Sequence, residues 1–146
     1  MYKFNSAGAT IVCGETILLA KRIEDHNGFK VNFGGYWSIF GGEREPPSES
    51  PMQCARRELY EETEISVTTS SLNHVSGLRR GFYFFDVYIV YMDEMPKVVL
   101  NEEHTEYGWF TIDYLNVQPN PIDAEMASSI MEFHNLRKIQ NENGDR

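Results

Sequence analysis

The sequence predicts a single layered domain of α+β or α/β class, and three observations carry that expectation. Short runs rich in β-branched and aromatic residues recur along the chain and end at glycine-bearing turns. Two longer segments instead repeat their apolar residues at helical spacing. The 146 residues are 41% apolar and 24% charged, a globular composition on a chain long enough for one core. The domain is expected over residues 1–146, with a polar tail from about 140.

"AGATIVC" and "ETILLAKR" read as two strands joined by a tight turn at Cys13-Gly14-Glu15. Residues 23–35, polar and glycine-bearing, read as a loop. "YWSIF" restores strand character, and Gly41-Gly42 is expected to stop it. Pro46 and Pro47 exclude a helix in "EREPPSES", while Ser48 or Ser50 offers a cap and Pro51 suits a first helical position. A helix follows over residues 51–64, with Met52, Ala55, Leu59 and Thr63 on one face. "ISVTT" is strand-like, and "LRRGFYFFDVYIVYM" supplies one or two strands. "YGWFTIDYL" is a strand running into a turn, and "IDAEMASSIMEFHNLRKI" is helical, with Asp123 as its cap. The tail "QNENGDR" is expected to fray.

A formal net charge of −9 disfavours a nucleic-acid backbone as partner. Cys13 and Cys54 have no zinc-site or disulfide spacing and read as reduced thiols, which predicts a cytoplasmic protein. No signal-peptide run and no membrane-spanning stretch is present in the sequence.

"RRELYEETEI" packs four glutamates and two arginines into ten residues. On a helix, Glu58, Glu61 and Glu62 share one edge. Spacing alone leaves two readings open. One is a solvated acidic face with Arg56 and Arg57 as ion-pair partners; the other is a site for a hard cation, which takes oxygen ligands.

The wider run decides between them. Glu49, Arg57, Glu58, Leu59, Glu61, Glu62 and Ile65 strongly resemble, in identity and spacing, the Nudix hydrolase signature. Two positions depart from it. Six residues rather than five separate Gly42 from Glu49, an insertion that a loop tolerates. Glu64 stands where the family has glycine, at a cost of about 1 kcal/mol if the position is left-handed. The resemblance extends to "AGATIVCGETILLAKR", "GGYWSIFGG" and "NEEHTEYGWFTIDYL", covering roughly residues 7–115.

That resemblance implies an α/β/α sandwich around a mixed central sheet. It further implies Mg²⁺, with Mn²⁺ as an alternative, held by Glu58 and Glu62, by Glu61 directly or through water, and by the Gly41 carbonyl. Arg57 is implied as an orienter pairing with Glu49 or Glu61. Glu62, Arg57, Glu103 and His104 are the implied catalytic residues. The general base comes from the signature helix or from the late loop, where Glu102, Glu103 and His104 are the candidates and Glu103 is favoured over His104. Arg22, Arg79 and Arg80 are candidates to offset diphosphate charge, and Tyr36, Trp37, Phe82, Tyr83 and Phe84 to stack on a base, although strand aromatics more often pack in cores. Of these, Arg22, Trp37 and Tyr83 are taken as the substrate-binding set. Tyr83 also sits near a marker of diadenosine polyphosphate enzymes.

The expected activity is Mg²⁺-dependent hydrolysis of a diphosphate linkage in a nucleoside diphosphate derivative. The alternatives are a nucleoside triphosphate pyrophosphohydrolase and a non-catalytic nucleotide-binding module of the same fold. The expected partners are a small nucleotide substrate and, as one option, a second copy in a homodimer, with no nucleic acid and no membrane.

Overall fold

The computed structural model describes residues 4–45, 47–117 and 121–144, with side chains at these positions except 4, 83 and 143. β1 (Phe4–Cys13) and β2 (Thr16–Arg22) form the expected hairpin, paired at Val12↔Ile17 and Cys13↔Thr16. Gly14 turns it at φ 61°, a conformation that costs glycine little. Beyond those pairs the two strands part. β5 (Trp37–Ser38) adds to β2, and β6 (Phe40–Glu43) adds to β1, so one stretch of chain fills the opening between them.

Gly41-Gly42 therefore does not stop the strand, contrary to the expectation from sequence. Gly41 lies opposite Gly8 and Gly42 opposite Ala7. A Cβ on Gly41 would stand 2.7 Å from the Ala7 carbonyl oxygen, and one on Gly8 would stand 2.6 Å from that of Phe40. Glycine here permits close strand approach instead of ending the pairing.

β8 (Tyr83–Tyr91) runs parallel to β1, and β7 (Asn73–Arg80) pairs antiparallel with β8 across a turn containing Gly81. β9 (His104–Thr111) pairs antiparallel with β2 and leads into a 3-10 segment, Ile112–Val117. The seven strands make one mixed sheet. The expected loop at residues 23–35 also holds a small separate hairpin, β3 (Asp25–His26) with β4 (Phe29–Lys30).

Neighbouring residues of the central strands bury on opposite faces, which builds two cores. On one face α1 (Pro51–Thr63) packs Cys54, Ala55 and Leu59 against Ile11, Leu18, Tyr88 and Val90. On the other, α2 (Ala124–Gly144) packs Met126, Ala127 and Ile130 against Val12, Leu19, Val87 and Ile89. The result is the expected α/β/α sandwich. Among the described residues no helix is long and apolar enough to cross a membrane.

Two further expectations are corrected. "ISVTT" forms no ladder: Ile65 and Val67 bury alternately, as in a strand, but the backbone runs unpaired into a 3-10 turn at Thr69–Ser71. The hydrophobic alternation is satisfied by packing under α1, and Arg56 Nε donates to the Val67 carbonyl at 2.7 Å. The polar tail does not fray at 140, because α2 continues to Gly144. Polar residues suffice for an exposed helix end once the preceding turns are docked.

Candidate functional site

Local chemistry sets the register of α1. Ser50 accepts from the Gln53 N–H at 3.1 Å, and the Gln53 side chain accepts from the Ser50 N–H at 2.9 Å, a reciprocal cap ahead of Pro51. Seven and eleven residues into the helix, this register turns Glu58 and Glu62 toward the sheet. Their side chains are 12% and 1% exposed, whereas that of Glu61 is 48% exposed.

The loop before β9 brings a third carboxylate to the buried pair. One oxygen each from Glu58, Glu62 and Glu103 lie within 4.8 Å of one another. Gly42 borders the group closely: a Cβ there would meet Glu58 Oε1 at 2.6 Å. Gly41, the expected carbonyl ligand, is the neighbouring residue in β6. Glu61 stands apart from this triad and accepts from Arg57 Nη1 at 3.1 Å.

Burial pushes the Glu62 carboxyl up to about 10, helped by its contact with Glu58 and by repulsion from Glu103. Burial raises Glu58 as well. Glu62 Oε2 is buried without a hydrogen-bond partner among the described residues. Such a group needs either a proton or a cation, and three clustered carboxylates are the oxygen donor set that fits Mg²⁺ or Mn²⁺.

Arg57 organises the rim. Its Nε and Nη2 donate to the two oxygens of Glu49 at 2.8 and 3.1 Å, its Nη1 donates to Glu58 at 2.9 Å, and Nη2 also reaches the Glu43 carbonyl at 3.0 Å. The Glu49 carboxyl sits below its ordinary value mainly because of that bond. Glu49 in turn accepts from the Glu45 N–H at 3.1 Å, so the loop that carries the extra residue is wrapped around one guanidinium.

His104 is placed differently from Glu103. Its side chain is fully buried, its ring meets Phe40 edge-on at 5.2 Å, and its Nδ1 lies 3.6 Å from Glu62 Oε1. Burial, with Arg22 nearby, lowers it to about 4, so it is neutral at physiological pH. Glu103 is exposed.

A cleft of about 230 Å³ meets the carboxylates at Gly42, which packs against Glu58, and extends past Arg22, Tyr36 and Phe85 to Arg80 and Asp123. Arg22 is steadied by a 3.2 Å bond from Nε to the Asn32 carbonyl. Trp37 reaches the cleft but is 7% exposed, with its ring against Phe110 at 5.0 Å. Tyr36 is 37% exposed at the same wall. Arg80 is held by Asp123 at 3.0 Å and Glu125 at 3.1 Å. The Tyr83 side chain lies outside the described residues. Sequence reasoning missed Asn101, whose side chain touches Glu103; an Asn two residues before a loop glutamate is the signal of an Asx turn.

A carboxylate-lined helix on a mixed sheet, beside a cleft, defines an α/β/α sandwich with a candidate cation site. The NUDIX domain matches residues 3–133, and the chain belongs to that family. Putative hydrolase 111R of Invertebrate iridescent virus 3 is 26% identical over 113 residues, which are 77% of this chain and 61% of that protein. The chain thus spans about three fifths of that curated relative. The MutT protein of Methanosarcina mazei Go1 superposes with a TM-score of 0.70 at 22% identity, covering 92% of this chain and 95% of that one. An Ap4A hydrolase of C. elegans superposes at 0.67 with 19% identity, covering 92% and 98%.

Proposed function

We propose that the chain is a divalent-cation-dependent hydrolase that cleaves the diphosphate linkage of a nucleoside diphosphate derivative such as a nucleotide sugar, ADP-ribose or a dinucleotide. The observation that carries this reading is the Glu58–Glu62–Glu103 cluster, whose Glu58 packs against Gly42 in the wall of the cleft. Glu58, Glu62 and Glu103 would hold Mg²⁺ or Mn²⁺, with the Gly41 carbonyl as a further donor and Glu61, which stands apart on Arg57, reaching the cation through water. When bound, the cation supplies charge neutralisation for the phosphates and lowers the pKa of coordinated water.

The protein's own groups do the rest. Arg57 fixes the Glu58 carboxylate while clamping Glu49, so the ligand geometry does not depend on two mobile side chains. Glu103, exposed at the edge of the cluster, is the better placed late-loop group to take a proton from water. His104 is sealed beneath Phe40 and serves to pack the site. Arg22 lies near enough to the cluster to bias both Glu62 and His104, which suits a phosphate contact. Tyr36, Trp37 and Tyr83 are the proposed contacts of the nucleoside, with Tyr36 presenting the more accessible ring.

The far wall favours a diphosphate derivative over a triphosphate. Arg80 there is already balanced by Asp123 and Glu125, a polar surface suited to a sugar or nucleoside rather than to a further phosphate. The test is to incubate the purified chain, with and without Mg²⁺, with nucleotide sugars, ADP-ribose, dinucleoside polyphosphates and dNTPs, and to identify products. Cleavage confined to dNTPs, with pyrophosphate released, would transfer the assignment to a triphosphate pyrophosphohydrolase. Nucleotide binding without turnover would make the chain a binding module.

A further inference from the structure

We infer that Asn101 is a positioning residue that fixes the Glu103 carboxylate on the candidate metal cluster, an inference that rests on the metal-dependent reading above. Glu103 comes from an exposed loop, where a free glutamate would sample several rotamers and face the cluster only part of the time. Asn101 removes that freedom. Its Oδ1 accepts from the Glu103 N–H at 3.0 Å, and its Nδ2 donates to Glu103 Oε2 at 3.2 Å. The orientation of the amide follows from the Glu103 N–H, which can only donate and so faces Oδ1, leaving Nδ2 to donate to the carboxyl oxygen. One side chain thereby closes the turn and aims the acid at its end.

Asn101 is itself anchored to the helix that supplies the other two carboxylates. Its N–H donates to the Glu62 carbonyl at 3.3 Å, and Val99 N–H donates to the Thr63 carbonyl at 3.0 Å. On the opposite side, the Glu103 carbonyl accepts from Ile23 N–H at 3.0 Å, just beyond the end of β2. The loop is therefore stitched to both α1 and the sheet, and Asn101 links backbone position to carboxylate direction. An amide suits this position because it offers an acceptor and a donor at once. Aspartate lacks the donor, and alanine lacks both.

The test is calorimetric titration of the metal-free full chain with Mn²⁺, comparing wild type with Asn101→Ala, Asn101→Ser, Glu103→Gln and the double variant Asn101→Ala/Glu103→Gln. Residues that orient metal ligands typically contribute 10- to 100-fold to affinity, so Asn101→Ala should weaken Mn²⁺ binding by about that factor. Asn101→Ser, whose hydroxyl can still accept from the Glu103 N–H, should not restore it. In the Glu103→Gln background the Asn101 substitution should add little, since both act through the same carboxylate. Unchanged affinity in Asn101→Ala, full rescue by serine, or additive losses in the double variant would each overturn the positioning role while leaving the metal reading intact. Normal Mn²⁺ affinity in Glu103→Gln would remove Glu103 from the cluster and this inference with it. A wild-type chain that takes up no Mn²⁺ would overturn both readings.

Discussion

Arg57 and Glu49 are joined by two parallel hydrogen bonds, 2.8 Å from Nε and 3.1 Å from Nη2, across a gap of eight residues that includes the start of α1. The Glu49 side chain is only 9% exposed, so this pair works in surroundings partly closed to water. Lysine cannot reproduce the fork, because its ammonium is a point donor without planar geometry.

Arg57→Lys is therefore expected to lower kcat by about 10- to 100-fold while leaving the fold in place. Arg57→Ala should go further and cost about 2 kcal/mol of stability, since Glu49 and Glu58 would lose their shared donor in partly buried positions. Urea denaturation checks the second statement. An unchanged midpoint would mean that the loop around Glu49 is held by other contacts.

Glu62 gives the metal-free protein an unusual pH dependence. Its folded value of about 10 lies far above the ordinary 4.5, so between these limits the folded chain binds a proton that the unfolded chain releases. The stabilisation is complete below about 4.5 and is lost as pH rises toward 10. In chelator, wild-type stability should decline over this range relative to Glu62→Gln, which removes the titrating group. The same variant should lose about 100-fold or more in kcat. Parallel stability profiles for the two proteins would contradict the assignment.

The two late-loop residues should separate cleanly. Glu103→Gln is expected to reduce kcat by about 100-fold. His104→Gln should stay within about tenfold of wild type in rate but cost about 1–3 kcal/mol, as a buried packed ring is replaced. Because burial lowers His104 from 6.5 to about 4, its neutral form stabilises the fold fully above 6.5 and that contribution is lost as pH falls through 4. The variant should therefore show a flatter acid limb of stability. A rate loss larger in His104→Gln than in Glu103→Gln would reverse the roles.

Glu64 caps α1 at φ 60° and ψ 19°, a left-handed conformation, while its N–H donates to the Tyr60 carbonyl at 2.8 Å. Glutamate is strained there and glycine is not. Glu64→Gly should raise stability by about 1 kcal/mol, read as a higher Tm, with no change in rate because the side chain is exposed and outside the cluster. A lower Tm would show that the entropy glycine adds to the unfolded chain outweighs the relieved strain.

The sequence by itself determined the parts that are local in origin. Ser50, Pro51 and Gln53 start α1, Asp123 starts α2 by accepting from Met126 N–H at 2.8 Å, and turns of 3.6 residues then oblige Glu58 and Glu62 to share a face. Gly14 marks a hairpin turn that any L side chain would strain, so one strand pair was legible without coordinates, whereas the stretch around Gly81 read as one or two strands until β7 and β8 were seen to pair. Which strand lies beside which was decided only by tertiary packing. Gly41-Gly42 reads as a stop until Gly8 and Ala7 stand opposite it, and "ISVTT" alternates like a strand although it pairs with no strand among the described residues. The same limit applied to the site. Glu103 and His104 are adjacent in the chain, yet Glu103 ends an exposed turn and His104 opens β9 buried, because a residue's solvent exposure depends on what the rest of the chain packs against it. Helix register and turn geometry act over a few residues and are written in sequence order; burial, pKa and the meeting of Glu103 with Glu58 and Glu62 depend on contacts some forty residues apart, which only the folded sheet brings together.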